Sequence, residues 1–297
     1  MGEARKTFNN SFWGEDFTSS HGFDTLLNRL LDGKALCKDM ETYLKARSKL
    51  ELEYSKNLSK LNQSLKFKGV VGQLEYSWDT FREELVQMTK VHEDSGRYFH
   101  ELDTETRRFI DENSMKRKEI SERTKKSHQQ KITLYNKTQS LQKTYFQKCK
   151  ESDTASDTYA LLHQGVTTTT KELDKARGNS EKAQENAQKA EDAYKSSVHT
   201  LDVARRQWED DMSLACQAFQ TMEEERINYL RDLMWTCSNL DSQMALEKDD
   251  SCERVRQMLD TCDITQDIKT FIDGFQTGSS RPLPIPYENF YKKMTPL

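Results

Sequence analysis

The sequence predicts an all-α protein, an elongated bundle of three long helices with short flanking helices. All four prolines follow residue 281, so the preceding chain can be helical almost throughout. Apolar residues recur along it at three- and four-residue steps, as they do on one face of a helix. Charged residues make up 32% of the chain and apolar residues 34%, which favours narrow seams between helices over a thick globular core.

Glycines and polar stretches divide this region into elements. In chain order we predict a short N-terminal helix within residues 8–17, long helices at about 23–68, 70–162 and 179–247, a short C-terminal helix at about 255–273, and a flexible tail containing Pro and Tyr at 276–297. At 1.5 Å per residue the second helix alone would be roughly 140 Å long. Helices so unequal in length cannot bury all their apolar stripes in a compact monomer, so we expect antiparallel packing and a rod-shaped homodimer.

The middle of the second helix carries a concentrated positive charge. Between residues 116 and 150, eleven basic residues face two acidic ones, a local net charge of +9 in a chain whose net charge is −4. At 100° per residue, Lys118, Lys125, Lys143 and Lys150 share one side of the helix, and apolar residues lie roughly opposite. This arrangement predicts one packing face and one face for a polyanion. The alternative is a solvated Lys-rich face without a ligand, which is common in coiled coils.

The sequence contains none of the motifs expected of a catalytic or cofactor-binding protein. It has no HExxH, Walker, GxGxxG or GxSxG motif, its six histidines are isolated, and its six cysteines form no CxxC pair. Scattered cysteines are typical of the reduced thiols of a cytosolic protein. No apolar run approaches the ~20 residues of a membrane span, so any membrane contact should be peripheral. We therefore expect a non-enzymatic protein with no metal and no cofactor.

A short pattern at residues 47–58, RSKLELEYSKNL, resembles the signature of the F-BAR, or extended FCH, domain. The matching positions are Arg47, Leu50, Glu51, Tyr54, Ser55, Lys56 and Leu58. Further stretches agree with that family, namely SFWGEDF, LLDGKALCKDMETYLKARSKLE, TYFQKCKESD, EERINYLRDLMW and the tail PLPIPYENFY. On this resemblance residues 1–275 form an F-BAR domain. Within the family, the chain looks like a proline-serine-threonine phosphatase-interacting protein.

The resemblance implies a crescent-shaped antiparallel homodimer whose concave basic face binds anionic membrane phospholipids, including phosphoinositides. Such a protein senses or generates membrane curvature and acts as an adaptor to the actin cytoskeleton and its regulatory proteins. It would be cytoplasmic and peripheral at the inner face of the plasma membrane. Carried over onto this sequence, the membrane-binding residues are Lys45, Arg47, Arg117, Lys118, Lys125 and Lys126. Lys125 also lies on the charged side found from helical geometry.

The resemblance also implies protein partners. Trp235, in RDLMWTC, matches a tryptophan associated with docking of PEST-type tyrosine phosphatases, and a packing role is the alternative. Tyr287 and Tyr291 in the tail are candidate phosphorylation sites. Asn289 stands two residues after Tyr287, a spacing that some SH2 domains read once the tyrosine is phosphorylated. Unmodified surface tyrosines are the alternative.

Two other functions compete with the membrane-scaffold interpretation. The first is a dimeric coiled-coil adaptor that recruits phosphatase and SH2 partners without significant direct membrane binding. The second is nucleic-acid binding through the same lysines. Nucleic-acid binding is disfavoured, because no aromatic residue interleaves the solvent-facing lysines to stack on bases and the whole chain is acidic.

Overall fold

The computed structural model describes residues 6–14, 16–66 and 68–294, and in this part of the chain all regular structure is helical. Four α-helices occur: α1 (His21–Ser64), α2 (Gln73–Gln164), α3 (Thr170–Asp260) and α4 (Ile264–Phe275). Short 3-10 turns lie at Phe8–Asn10 and Phe290–Met294. The predicted all-α class with three long helices is confirmed.

The connection between α1 and α2 depends on glycine and on a cap from α4. Gly69 and Gly72 have φ of 89° and 79°, the left-handed region that favours glycine. The carboxylate of Asp267 then accepts hydrogen bonds from the backbone N–H groups of Gln73 (2.7 Å) and Leu74 (2.9 Å). These two bonds lower the pKa of Asp267, and they satisfy N–H groups at the start of α2 that have no partner within the helix.

The predicted start of the third long helix, after Gly178, is wrong. The helix begins at Thr170, and Gly178 lies inside it. The start is a capping box: the Glu172 carboxylate accepts from the N–H (3.1 Å) and hydroxyl (2.7 Å) of Thr169, and the Thr169 hydroxyl faces the N–H of Glu172 at 3.4 Å. Thr169, which opens this box, is the third of the four consecutive threonines at residues 167–170.

The predicted end of that helix, near residue 247, is also wrong, since α3 continues to Asp260. The helix passes through the polar stretch at 246–251 without ending. Ser251, the last residue of that stretch, and Arg254 have a partner on α2, where Glu84 accepts from Ser251 (2.7 Å) and from Arg254 (2.6 and 2.8 Å). The C-terminal helix starts at Ile264 rather than 255, because Asp263 caps it by accepting from the next two free N–H groups.

The chain divides into two compact units, each described by itself. Unit 1 comprises Met1–Ala46 and Phe99–Cys237, and unit 2 comprises Arg47–Tyr98 and Ser238–Leu297. The core of unit 1 is an apolar cluster contributed by α1 and α3, with Phe8 and Phe12 of the N-terminal segment packed on it. Its buried members are Phe23, Leu26, Leu30, Met212, Ala215, Cys216, Phe219 and Met222.

Unit 2 is held together largely by buried polar contacts. The Ser48 hydroxyl donates to the carbonyl of Gly96 (2.7 Å), and the buried Glu51 carboxylate contacts Nδ1 of buried His92. A buried carboxylate is costly unless it is hydrogen-bonded, so the contact with His92 helps Glu51 to lie in the interior. The division of the chain into residues 1–275 and a tail remains a prediction.

Candidate functional site

The basic segment of α2, residues 116–150, turns short hydroxyl side chains into the bundle. Its buried hydroxyl residues are Ser121, Thr124, Ser127 and Thr138. Thr138 donates to its own helix at the Leu134 carbonyl (2.8 Å), and its hydroxyl lies 2.7 Å from that of Ser197 on α3. Small residues at a helix contact allow the two helices to approach closely. The long lysine side chains of the segment are thereby left mainly on its solvent side.

Six of the seven exposed lysines of this segment form what we name the basic surface: Lys118, Lys125, Lys126, Lys137, Lys143 and Lys150. Only Lys118 approaches a carboxylate, that of Glu122 at 3.9 Å, and both side chains are solvated. Among the described residues no acidic group lies within ion-pair distance of the other five. Exposed ammonium groups without intramolecular partners are free to neutralise an external anion.

Two arginines of the segment are less available than the sequence suggested. Arg123 is paired with Asp211 on α3 at 2.7 Å. Arg117 is half-buried at a small cavity of about 30 Å³ lined by Phe109 and Met222, and burial lowers its pKa. Its guanidinium is therefore only partly presented to solvent.

Lys131 does not belong to a polyanion-binding face at all. Its side chain is 1% exposed, and its Nζ lies 3.2 Å from the ring centroid of Trp208 and 5.0 Å from that of Phe17. Burial lowers its pKa to about 8, although Glu209 and Asp16 favour the charged form. Lys131 contributes to the +9 formal charge of the segment but not to its exposed surface, because the folded N-terminal segment covers this position.

The two candidates from α1 differ from each other. Lys45 is exposed and has no ion-pair partner among the described residues. The guanidinium of Arg47 instead bonds Glu51 (2.9 Å) and Asp241 of α3 (2.7 Å). Within the signature stretch, Glu51 in turn contacts His92, so these signature residues hold helices of unit 2 together. The structure thus places Arg47 in an internal network.

Partner-binding candidates lie on the surface. Trp235 is 72% exposed near the end of unit 1, so it is not a seam residue of this chain. Tyr287 and Tyr291 are exposed in a tail that has no helix between Phe275 and the turn at Phe290. Accessible hydroxyls and an accessible indole are necessary for the roles predicted, and those roles stay predictions.

Two features were missed at the sequence level. The first is the aromatic slot around Lys131, which only the folded N-terminal segment creates. The second is a stripe of exposed apolar side chains on α1, in which Leu36, Tyr43 and Leu50 follow one another at seven-residue steps and Leu61 continues it. The seven-residue spacing could have shown the second feature, because it is the repeat of a coiled-coil seam.

None of the described helices contains a stretch long and apolar enough to cross a bilayer. Within residues 6–14, 16–66 and 68–294, no group of three His, Cys, Asp or Glu side chains is placed to hold a metal ion.

A family model, known protein sequences and a solved structure similar to this chain all point to one family. The sequence model of the family described as "Fes/CIP4, and EFC/F-BAR homology domain" matches residues 22–94. Proline-serine-threonine phosphatase-interacting protein 1 of Homo sapiens is 31% identical over 98% of this chain and 70% of that protein. The Mus musculus protein of the same name is 32% identical over 99% of this chain and 71% of its own length. The solved structure of the Imp2 F-BAR domain has a TM-score of 0.82 at 26% identity, covering 99% of this chain and 96% of that one.

The alignment to these relatives spans nearly all of the four helices and includes the signature residues whose contacts were described above. The chain belongs to the F-BAR family, whose domains dimerise and bind membranes as curvature-related scaffolds rather than acting as enzymes.

Proposed function

We propose that this chain binds anionic phospholipids, including phosphoinositides, through the basic surface of α2, and that it senses or generates membrane curvature. We further propose that it is a peripheral adaptor linking the membrane to actin-regulatory proteins and to PEST-type tyrosine phosphatases. The observation that carries the lipid role is the set of exposed lysines of α2 for which the described residues offer no ion-pair partner: Lys125, Lys126, Lys137, Lys143 and Lys150.

The physical mechanism is electrostatic. Each Lys or Arg close to an anionic leaflet contributes about 1 kcal/mol, and the contribution decays over the Debye length of ~8 Å at physiological ionic strength. Because α2 is an uninterrupted helix through this segment, its lysines are held at fixed positions and cannot adapt individually to the lipid surface. A fixed array of this kind binds best where the membrane follows its contour, which is how charge position can translate into curvature preference.

A homodimer would double the number of lysines that reach one membrane. The apolar stripe on α1 supports this state, as does α4, whose apolar side chains are all exposed in the single chain: Ile264, Ile268, Phe271, Ile272 and Phe275. Several exposed apolar side chains grouped on one helix are typical of an association site. Two linked basic surfaces bind with greater avidity than one, provided both can touch the bilayer together.

The adaptor role rests on Trp235 and on the tail tyrosines. The human relative's name describes it as phosphatase-interacting, and an exposed tryptophan on a rigid helix is a suitable anchor for such a partner. We expect Trp235→Ala to abolish co-purification with a PEST-type tyrosine phosphatase without changing helicity. Tyr287, once phosphorylated, would present Asn289 to an SH2 domain.

The lipid role is tested by charge reversal. Lys125→Glu combined with Lys126→Glu should abolish co-sedimentation with vesicles of phosphatidylserine and phosphatidylinositol 4,5-bisphosphate, with helicity unchanged. The matched control is Lys269→Glu with Lys292→Glu, an equal change of charge at exposed lysines outside α2.

Undiminished vesicle binding by the α2 variant would place the lipid contact elsewhere. Equal loss in both variants would mean that net charge, rather than the basic surface, controls binding. If the unaltered chain binds no anionic vesicle while remaining dimeric, the partner-recruiting adaptor becomes its function.

A further inference from the structure

The N-terminal segment, of which the structure describes residues 6–14 and 16–20, is fixed to the rest of unit 1 at both of its ends. The Phe8 N–H donates to the side-chain carbonyl of Gln220 on α3 (3.0 Å), and Phe8 and Phe12 pack on the apolar cluster. Gly22 of α1 passes so close to Phe12 that a Cβ there would lie 1.9 Å from the Phe12 carbonyl oxygen. These contacts hold Phe8 and Phe12 in a fixed position against α1 and α3.

The second end is held by aromatic and cationic contacts. The ring of Phe17 stacks on Tyr135 of α2 with centroids 4.9 Å apart, and the buried Lys131 ammonium lies over its face. Nζ of Lys131 also lies over Trp208, so one buried cation bridges the segment and α3. Trp13 and Gly14, which lie between these two anchors, are consequently presented in a defined place.

Trp13 lies between the anchors and differs from the other aromatic residues of the segment. Phe8, Phe12 and Phe17 are half-buried, whereas Trp13 is 40% exposed. Its indole N–H already donates to the Asn9 carbonyl (2.5 Å), and one edge of the ring packs against Trp208 with centroids 5.9 Å apart. Because the polar atom is already satisfied, the surface that Trp13 shows to solvent is the carbon part of the ring.

The position of Trp13 relates it to the basic surface. Its neighbour Gly14 lines a cavity of about 270 Å³ together with Lys125 and Gln129 of α2. Trp13 therefore stands on the flank of α2 that carries Lys125. An amphipathic ring beside exposed ammonium groups matches the headgroup region of an anionic bilayer, where tryptophan is enriched and lysine finds phosphate.

We propose that the N-terminal segment is part of the membrane-binding surface and that Trp13 inserts its exposed ring among lipid headgroups beside Lys125. This inference rests on the proposed lipid binding and adds to it an apolar contribution. Electrostatic attraction is screened by salt, whereas burial of a ring is not. The bound fraction that survives at about 0.5 M salt should therefore depend on Trp13.

The test uses tryptophan fluorescence of the full chain on vesicles of phosphatidylserine and phosphatidylinositol 4,5-bisphosphate that contain lipids brominated on their acyl chains. The unaltered chain should be quenched, and Trp13→Phe should lose most of that quenching while still co-sedimenting at low salt. Trp235→Phe, which removes another exposed indole, is the control and should remain quenched. In the high-salt assay, Trp13→Ala should weaken residual binding roughly tenfold, a factor that corresponds to burial of part of one large aromatic ring.

Quenching of Trp13→Phe as strong as that of the unaltered chain would overturn the inference, as would a bound but unquenched unaltered chain. Both results leave the proposed lipid binding intact. Absence of any binding at low salt would overturn both proposals together, so the two failures are distinguishable.

Discussion

Lys131 is a charged residue in the interior of unit 1. The free-energy cost of burying its ammonium group can be separated from the structural role of its aromatic contacts. Burial disfavours the ammonium and lowers its pKa to about 8, whereas the faces of Trp208 and Phe17 compensate part of that cost. A methionine could fill the same space without a charge. Lysine adds a cation–π contact with the ring of Phe17, and this contact fixes the position of the N-terminal segment on α2.

The lowered pKa of Lys131 predicts a specific dependence of stability on pH. The unfolded chain keeps the Lys131 proton up to about its ordinary pKa of 10.5, and the folded chain loses it near 8. Between those values the unfolded state binds more protons, so the contribution of Lys131 to the free energy of unfolding rises with pH. Relative to Lys131→Met, the unaltered chain should gain stability from pH about 7.5 to about 9.5 in urea titrations. A difference that is constant across this range would show that Lys131 is solvated.

Arg47 and Lys45 give a second residue-scale prediction. Arg47→Ala removes the guanidinium that pairs with buried Glu51, leaving a carboxylate with one partner, so we expect a loss of about 2 kcal/mol in the free energy of unfolding. Lys45→Ala removes an exposed, unpaired ammonium and should change stability by less than about 0.5 kcal/mol. Chemical unfolding of both variants measures this, and equal effects would contradict the assignment of Arg47 to an internal network.

At the scale of elements, the helices contain one glycine that a neighbouring side chain requires and one that nothing nearby requires. A Cβ at Gly33 of α1 would lie 2.6 Å from Nε of Arg226, the arginine of α3 that bonds buried Glu223 at 2.7 and 2.9 Å. A Cβ at Gly178 of α3 would meet nothing within 4 Å. Glycine is therefore required at the first position by its neighbour and is not required at the second.

Matched substitutions follow from this contrast. Alanine favours a helix over glycine by about 1 kcal/mol, so Gly178→Ala should raise the free energy of unfolding by up to about that amount. Gly33→Ala has the same intrinsic gain but displaces Arg226 from Glu223, and we expect a net loss of about 1 kcal/mol or more. Thermal unfolding of the two variants gives the comparison, and a stabilising Gly33→Ala would mean that Arg226 moves aside without cost.

Helix ends set by neighbouring residues could be predicted from the sequence, whereas ends set by residues distant along the chain could not. The start of α2 next to Gly69 and Gly72 and its end near Gly165 were predicted to within three residues, because glycine turns are local signals. The limits of α3 were missed: its start depends on a capping box at Thr169, although it was predicted after Gly178, and its continuation past residue 247 depends on Glu84, which is distant in sequence. In the candidate site, helical geometry predicted that Lys118 and Lys125 share the charged side, and the family resemblance added Lys126. Burial of Lys131 and pairing of Arg47 did not, because each depends on a segment far away along the chain.

At the scale of the whole molecule, self-association determines how many cations meet one membrane. The α1 stripe is exposed in the single chain, so replacing two of its members should leave the monomer folded. We expect Leu36→Asp with Tyr43→Asp to convert a dimer into a monomer in analytical ultracentrifugation and to weaken vesicle binding by more than the two added charges would. Val166→Asp, at a fully exposed valine between α2 and α3, is the control and should remain dimeric. A dimer that survives the double substitution would show that the stripe is not its interface.

The central claim is that an array of unpaired lysines on α2 binds an anionic membrane. The most direct measurement is co-sedimentation of the unaltered chain with vesicles of phosphatidylserine and phosphatidylinositol 4,5-bisphosphate across a series of salt concentrations, beside neutral vesicles. We predict binding to the anionic vesicles alone, weakening steadily as added salt shortens the Debye length. Binding of equal strength to neutral vesicles, or no binding to anionic vesicles at low salt, would contradict the account.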